Sequence, residues 1–438
     1  MQPIDTLIKG RWLIPVVPEN TVLDDHAVAI HAGRIIDVLP AGEAEIRYRA
    51  SHTVELPQHA LLPGFINAHT HSPMSLFRGM ADDMPLMDWL QKRIWPAEGR
   101  WVDENFVEDG ALLAIAEMLR SGTTCFADMY FFPDQIAKTA QRTGIRACVG
   151  LIVLDFPTVW AADADEYISK GLELHDQLLN DPLVTTMFAP HAPYTVSDGP
   201  LSRVRVLADE LDIPVMSHVH ETAFEVAQAE QNDGRRPLAR LESLGLVSPS
   251  LMAVHMTQLN EEEIHRLAEH GAHVIHCPES NMKLASGFCP VQTLLDAGVN
   301  VALGTDGAAS NNDLDMIGEM RSAALLAKNV AGDASALPAF KALKMATLNG
   351  AIALGLAERI GSLEAGKYAD IIAIDLDSLK TQPVYDPVSQ IVYSADSSQV
   401  SDVWIAGKQL LKQGELTGLD QDQLIETARH WRDKIVGD

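Results

Sequence analysis

Cysteine is scarce in this 438-residue sequence: four residues lie far apart, with no CxxC pair. So few thiols do not cross-link a chain of this length, which argues against a disulfide scaffold and favours the reducing cytoplasm. Long apolar runs are also missing, since no stretch approaches the roughly 18 residues that a membrane helix needs. Asp5, Lys9 and Arg11 interrupt the apolar residues at the N-terminus, so we expect no signal peptide.

Basic residues are few relative to acidic ones. The 33 Lys and Arg residues face 60 Asp and Glu residues, which leaves a net charge of −27. A surface this negative repels phosphate backbones and anionic lipids. We therefore expect neither nucleic acid nor a membrane surface as a partner. The 47% hydrophobic and 21% charged residues are ordinary for a globular protein with a large core.

The middle of the chain has the rhythm of β–α repeats. After Pro63-Gly64, short apolar runs alternate with amphipathic stretches, and several of these stretches open with a helix-capping residue. Eight consecutive repeats favour a closed (β/α)₈ barrel over an open sheet. The eight predicted strands are GFINAH, TTCFADM, RACVGLIVL, VTTMFA, PVMSHV, LMAVHM, HVIHC and NVALGTD.

Both ends of the chain have a β-rich texture instead. Short β-type runs fill the region from Thr6 to about Leu62, and YADIIAIDL, QIVYSA and VSDVWIAGKQLL follow Ser362, before a helix predicted over Asp420–Lys434. We expect the two ends to pair as one discontinuous β-sandwich. The predicted organisation is residues 1–62 for the first half of the sandwich, 63–361 for the barrel, and 362–438 for the second half with the terminal helix.

Histidines and an aspartate end several of the predicted barrel strands. In a barrel these ends meet at one face, where catalytic sites are built. Three imidazoles and one carboxylate around an open position form the ligand set of a catalytic divalent cation, most often zinc, with iron as the alternative. Strand geometry alone leaves His218 and His220 as competing ligands. The candidates are His69 and His71 after the first strand, His218 and His220 after the fifth, His255 on the sixth and Asp306 after the eighth.

The segments LLPGFINAHTH, SHVHE and LGTDGAASNN, with the tail GSLEAGKYADIIAIDL, resemble the amidohydrolase superfamily, and within it the aminohydrolases of purine nucleosides and related heterocycles. The resemblance implies a metal-dependent hydrolytic deaminase. It also implies one metal, because predicted strand four, VTTMFAPHAPY, lacks the lysine that bridges two metals in binuclear relatives. The implied roles are His69, His71, His218 and Asp306 as metal ligands, Glu221 as the proton shuttle, and His255 and Asp306 beside the attacking water.

Members that deaminate 5′-methylthioadenosine and S-adenosylhomocysteine have a similar long segment after the first strand. We expect Trp95 and Trp101 in this segment to serve helix packing. The implied substrate contacts are Trp89 lining the pocket, Glu98 on the ribose hydroxyls, His191 on the purine, Ser310 on the substrate edge, and Glu221 at the reacting atoms.

The segment after the third predicted strand departs from relatives that accept S-adenosylhomocysteine well. Those relatives have arginines that face the amino-acid carboxylate, whereas RACVGLIVLDFPTVWAADADEY is apolar and then acidic. We therefore expect 5′-methylthioadenosine as the preferred substrate, with adenosine and S-adenosylhomocysteine weaker. Separately, we expect a homo-oligomeric assembly. Two alternatives remain open: a deaminase or chlorohydrolase of another heterocycle such as guanine or a triazine, and a catalytically inactive barrel that serves as a binding module.

Overall fold

In the computed structural model, which describes residues 1–437, sixteen strands form two eight-stranded sheets. One sheet is the parallel wall of a barrel, and the other is a mixed sheet built from both chain ends. The strands are β1 Gln2–Leu13, β2 Leu23–His31, β3 Arg34–Pro40, β4 Tyr48–Pro63, β5 Phe65–Thr70, β6 Thr123–Asp128, β7 Arg146–Val153, β8 Val184–Pro190, β9 Val215–Val219, β10 Leu251–His255, β11 His273–His276, β12 Asn300–Leu303, β13 Ile371–Asp375, β14 Val400–Ile405, β15 Lys408–Lys412 and β16 Glu415–Leu416.

The barrel wall runs in sequence order from β5 to β12, and all its neighbouring strands are parallel. Its strands are short apolar runs because helices outside and side chains inside bury both faces; every residue of β7 is buried, for example. Each of the eight predicted strands is present, which confirms the (β/α)₈ barrel.

A seam between β5 and β12 closes the barrel through side chains and one backbone contact. Asn67 donates to the Thr305 hydroxyl at 2.7 Å, and the Thr305 amide donates back to Asn67 Oδ1 at 3.0 Å. The Asp306 amide donates to the His69 carbonyl at 3.0 Å. Gly304 permits this approach, because a Cβ there would lie 2.8 Å from the His69 nitrogen. The first and last barrel strands thus bring His69 and Asp306 together.

The second sheet joins the two ends of the chain. Its strand order is β16-β15-β14-β13-β4-β1-β2-β3, so β13 from the C-terminal end pairs with β4 from the N-terminal end. This pairing confirms that both chain ends build one sheet. A buried ion pair fixes this sheet to the barrel: Arg146 Nε of β7 donates to Asp370 Oδ2 at 2.9 Å, just before β13.

Helices cover the barrel and flank the mixed sheet. They are α1 Ala41–Arg47, α2 Leu86–Trp89, α3 Trp95–Trp101, α4 Glu104–Arg120, α5 Pro133–Thr143, α6 Ala164–Leu178, α7 Asp198–Leu211, α8 Ala223–Asp233, α9 Pro237–Ser243, α10 Glu261–His270, α11 Pro278–Lys283, α12 Val291–Asp296, α13 Ala308–Asn311, α14 Met316–Ala331, α15 Ala339–Met345, α16 Leu348–Ala353, α17 Pro387–Tyr393 and α18 Gln421–Val436. Two 3₁₀ turns lie at Ser72–Phe77 and Ser397–Gln399, and a π-helical segment, Leu90–Ile94, joins α2 to α3. Among the described residues, none of the helices combines the length and hydropathy needed to cross a membrane.

The segment QIVYSA, predicted as a strand, is helical and lies mostly in α17. Its apolar β-branched residues suggested a strand, but the residues before it specify a helix start. Asp386 accepts hydrogen bonds from the amides of Val388 and Ser389, and Pro387 occupies the first helical position. The local capping signal therefore outweighed the β propensity.

Candidate metal centre and active site

Four predicted ligands converge at the carboxyl end of the barrel. His69, His71, His218 and Asp306 each offer one ligand atom, and these atoms lie within 4.8 Å of one another. His69 Nε2 is 3.1 Å from His218 Nε2 and 3.4 Å from Asp306 Oδ1. Atoms bound at 2.0–2.1 Å on the corners of a tetrahedron are about 3.3 Å apart, so the spacing fits one small divalent cation.

The other ring nitrogens of two of these histidines are held by backbone carbonyls. His71 Nδ1 lies 2.6 Å from the Met129 carbonyl, and His218 Nδ1 lies 2.8 Å from the His191 carbonyl. A carbonyl accepts only, so each Nδ1 carries a proton, and Nε2 is the ring nitrogen that is directed at the other ligands. Burial also lowers the pKa of His69 to about 4, which keeps that ring neutral. Neutral imidazoles are the form that binds a cation.

The Asp306 carboxylate is anchored on its far side. Its Oδ2 accepts hydrogen bonds from Ser280 Oγ at 2.7 Å and Ser310 Oγ at 2.8 Å, which leaves Oδ1 toward the histidines. Burial opposes protonation of His71, but the hydrogen bond and charge of Asp306 outweigh it and raise the His71 pKa to about 9. In the absence of a metal ion, the buried Asp306 carboxylate therefore stabilises a positive charge on His71. A bound cation would supply that positive charge instead.

Two further groups stand beside the ligands. His255 Nε2 lies 3.9 Å from Glu221 Oε1, and His255 Nδ1 is fixed by Asn281 Oδ1 at 2.9 Å. Burial, followed by the charge of Asp306, raises the pKa of Glu221 to about 8. A carboxyl group with this pKa can gain and lose a proton near neutral pH, as an acid–base catalyst requires.

Left-handed backbone marks three of the strand ends that carry these groups. The φ angles are +54° at His220, +75° at His255 and +62° at Asp306. Such conformations cost free energy in non-glycine residues and concentrate at functional sites. His220, the competitor of His218, is turned away from the ligand group: its Nε2 accepts a hydrogen bond from the Leu238 amide at 3.1 Å. The structure therefore brings His218 to the ligand group.

A cavity of about 300 Å³ opens above this group. That volume lies at the lower end of the range for small-molecule sites. Trp95 also lines it, although we expect this residue from the sequence to serve helix packing. His69 lies beneath the lining and is fully buried. The predicted site residues that line the cavity are His71, Trp89, Glu98, His191, His218, Glu221, His255, Asp306 and Ser310.

The lining contains carboxyl groups and imidazoles but no strongly basic side chain. Glu98, Glu221 and Asp306 contribute carboxyl groups, and no lysine or arginine appears among the described lining residues. Burial raises the pKa of Glu98 to about 7, against the opposing effect of the neighbouring Tyr130 hydroxyl. Ser310 gives its hydroxyl proton to Asp306, so toward the cavity it offers a lone pair.

Sequence reasoning missed several residues of the site. Phe156 and Val159, in the loop after β7, line the cavity and are 41% and 45% exposed. Ser280 and Asn281, which hold Asp306 and His255, belong to a short helix after β11. Neither position carries a signal in a single sequence. For Phe156 the only signal was an apolar run that continues past the strand end.

The comparisons with known proteins agree with this geometry. The model of the amidohydrolase family matches residues 60–410. A relative from Teredinibacter turnerae, named 5-methylthioadenosine/S-adenosylhomocysteine deaminase, is 51% identical over 99% of this chain and 98% of its own. A relative of the same name from Saccharophagus degradans is 50% identical over 99% and 97%.

Solved structures share the whole architecture. An adenosine deaminase from Xanthomonas campestris with bound zinc superposes with a TM-score of 0.99 at 56% identity, covering 100% of both chains. An atrazine chlorohydrolase from Arthrobacter aurescens, complexed with zinc, has a TM-score of 0.90 at 24% identity over 97% of this chain and 99% of its own, which shows the fold alone. The barrel, the ligand group and these matches together show that the chain belongs to the amidohydrolase family.

Proposed function

We propose that this protein is a metal-dependent aminohydrolase that deaminates an adenine nucleoside, with 5′-methylthioadenosine as its preferred substrate. The observation that carries the proposal is one cavity that joins the four-ligand group to Glu221 and Glu98. The four-ligand group supplies a cation site, and Glu221 supplies a proton carrier. Glu98 supplies a carboxyl group that can bind the ribose hydroxyls. The names of the full-length relatives support the substrate class.

His69, His71, His218 and Asp306 would hold the cation, and we propose zinc because the X. campestris structure contains it. When bound, a divalent cation lowers the pKa of water toward about 7 and so makes a nucleophile available at neutral pH. The described part of β8 contains no lysine, and the structure groups four ligands at this point, which fits a single ion.

Glu221 moves the protons in the proposed reaction. It takes a proton from the attacking water and passes it to the ring nitrogen next to the carbon that bears the amine. It then takes the second proton from the hydroxyl group that is now on that carbon and transfers it to the departing amine, so that the C–N bond breaks, ammonia leaves and a ring carbonyl remains. Its raised pKa suits both directions of transfer. His255, fixed by Asn281, would orient the water through Nε2.

The remaining lining residues would hold the nucleoside. Glu98 would accept hydrogen bonds from the ribose hydroxyls, and Trp89, 6% exposed, would supply an apolar wall. Burial lowers the pKa of His191 to about 3, so this ring is neutral and fit to hydrogen-bond the purine. Ser310 would accept from the substrate edge, because its proton is engaged by Asp306.

The cavity lining favours an uncharged 5′ substituent. Phe156 and Val159 are apolar and partly exposed, and neither lysine nor arginine belongs to the described lining. A methylthio group gains from contact with apolar surface. The carboxylate of a homocysteine tail would find no lysine or arginine there. Preference for 5′-methylthioadenosine over S-adenosylhomocysteine follows.

A substrate panel tests the proposal. The zinc-loaded protein is mixed with 5′-methylthioadenosine, adenosine, S-adenosylhomocysteine, guanine and a chlorotriazine, and ammonia and chloride release are measured together with the adenine absorbance. We expect ammonia from the adenine nucleosides, with the highest kcat/KM for 5′-methylthioadenosine. Chloride release or guanine turnover as the main activity would support the other heterocycles. Stoichiometric zinc with no turnover of any member would favour the inactive binding module.

We infer that the protein works in the cytoplasm as a homo-oligomer. The four cysteines are buried free thiols, which suits a reducing compartment. Sedimentation equilibrium tests the assembly, and a single species at the monomer mass of 47.7 kDa would refute it.

A further inference from the structure

A second buried glutamate lies next to the proposed proton carrier, outside the cavity. Glu225 is 6% exposed and belongs to the first turn of α8. It is absent from the residues that line the cavity, so it does not reach a ligand there. Nothing in the proposed reaction uses it, yet the burial of a carboxylate demands partners.

Those partners are two consecutive backbone amides. Glu225 Oε2 accepts from the Glu221 amide at 2.7 Å, and Oε1 accepts from the His220 amide at 3.2 Å. Successive amides beside a left-handed residue form a concave anion site, and His220 has a φ of +54°. Here the anion is a side chain of the same chain.

The opposite side of the same peptide is also held. Thr257 Oγ1, after β10, donates to the Glu221 carbonyl at 2.8 Å. The Thr257 amide donates to the His220 carbonyl at 3.0 Å. The backbone of Glu221 is therefore fixed by Glu225 on its amide side and by Thr257 on its carbonyl side. Only its side chain is directed into the cavity.

We propose that Glu225 is a positioning residue, which holds the strand-to-helix turn so that the Glu221 carboxyl group stays beside His255 and the ligand group. The inference rests on the proposed function for its kinetic consequence. Proton transfer requires the carrier within hydrogen-bond reach of both donor and acceptor atoms. A turn with a left-handed residue needs external support to keep that geometry.

Glu225→Gln tests the proposal with little change in shape. The glutamine carbonyl can accept from one amide, but its NH₂ group would face the other amide donor. We expect kcat for the nucleoside to fall about 10- to 100-fold, the usual cost of removing a supporting partner. KM and zinc content should stay close to those of the wild type, because no ligand or lining residue is altered. Tm should fall modestly, because one buried backbone amide loses its acceptor, so kcat is compared on folded, zinc-loaded protein.

Glu166→Gln is the matched control. Glu166 occupies the same position in α6, where its carboxylate accepts from the backbone amide of Ala162 at 2.7 Å, next to the N-cap residue Asp163. It supports no proposed catalytic residue, so kcat should be unchanged. An equal kcat loss in both variants, or an unchanged kcat in Glu225→Gln, would overturn the proposal. The proposal would also be overturned if the fall in kcat of Glu225→Gln were fully explained by a parallel loss of bound zinc or of folded protein.

A crystal structure of Glu225→Gln separates this inference from the proposed function. If the wild type deaminates no nucleoside, the proposed function fails, while the position of Glu221 still decides the inference. Displacement or disorder of the Glu221 side chain in the variant supports it. A Glu221 position identical to that of the wild type refutes it.

Discussion

Replacing Val159 by arginine tests whether the loop after β7 sets the tail preference. Val159 is 45% exposed at the cavity, so an arginine stem can lie along the loop with its guanidinium in water. We expect the change to place a cation where a homocysteine carboxylate would lie, with little effect on stability.

The expected gain follows from the exposure of the site. A partly exposed ion pair contributes up to about 1 kcal/mol, which corresponds to about fivefold in binding. The kcat/KM for S-adenosylhomocysteine should therefore rise about fivefold, while that for 5′-methylthioadenosine changes less than about twofold. The gain should shrink as salt rises, because salt screens an exposed pair.

Two controls separate local pairing from other effects. Val206→Arg adds the same charge at a site of similar exposure, 46%, in α7. Val159→Gln adds a polar side chain without charge. Steady-state rates for both nucleosides are measured on all three variants. The reasoning is refuted if Val206→Arg or Val159→Gln raises the rate for S-adenosylhomocysteine as much as Val159→Arg does.

Three further predictions concern the centre of the site. Glu221→Gln should keep stoichiometric zinc but lower kcat at least about 100-fold, since it removes the proposed proton carrier. Metal analysis with steady-state kinetics checks this, and turnover close to the wild type would contradict it. The KM for the nucleoside should rise as pH falls through about 7, because Glu98, whose pKa is raised to about 7, becomes protonated and loses its negative charge. Glu98→Gln should flatten this pH profile of KM. A wild-type slope in the variant would exclude Glu98 as the source of the pH dependence. Zinc removal by a chelator should abolish turnover and lower the free energy of unfolding by about 4 kcal/mol if zinc had been present at about 1,000 times its Kd; calorimetry with zinc readdition measures this, and an unchanged Tm would argue against the four-ligand group as the binding site.

The repeat pattern and the ends of its strands were readable from the sequence. His69, His71 and Asp306 could be placed together because parallel barrel strands end at one face. The choice of His218 over His220 needed the resemblance, since alternation puts both on one side of a strand; the structure distinguishes them through the left-handed turn at His220.

The supporting contacts were not readable in the same way. Asn281 and Glu225 form hydrogen bonds that depend on tertiary packing. No spacing in the sequence indicates which backbone amide or ring nitrogen they contact. The strand predicted for QIVYSA was wrong for a related reason. Its own residues favour a strand, and the capping carboxylate of Asp386 decides otherwise.

The join between β5 and β12 has a consequence for biosynthesis. Two of the proposed ligands, His69 and His71, lie near residue 70, while Asp306 comes 235 residues after His71. A ribosome-bound chain that has not yet exposed Asp306 cannot complete the coordination shell. Tight zinc retention would then begin only after the last barrel strand has emerged, so a truncated product would be left without its ion.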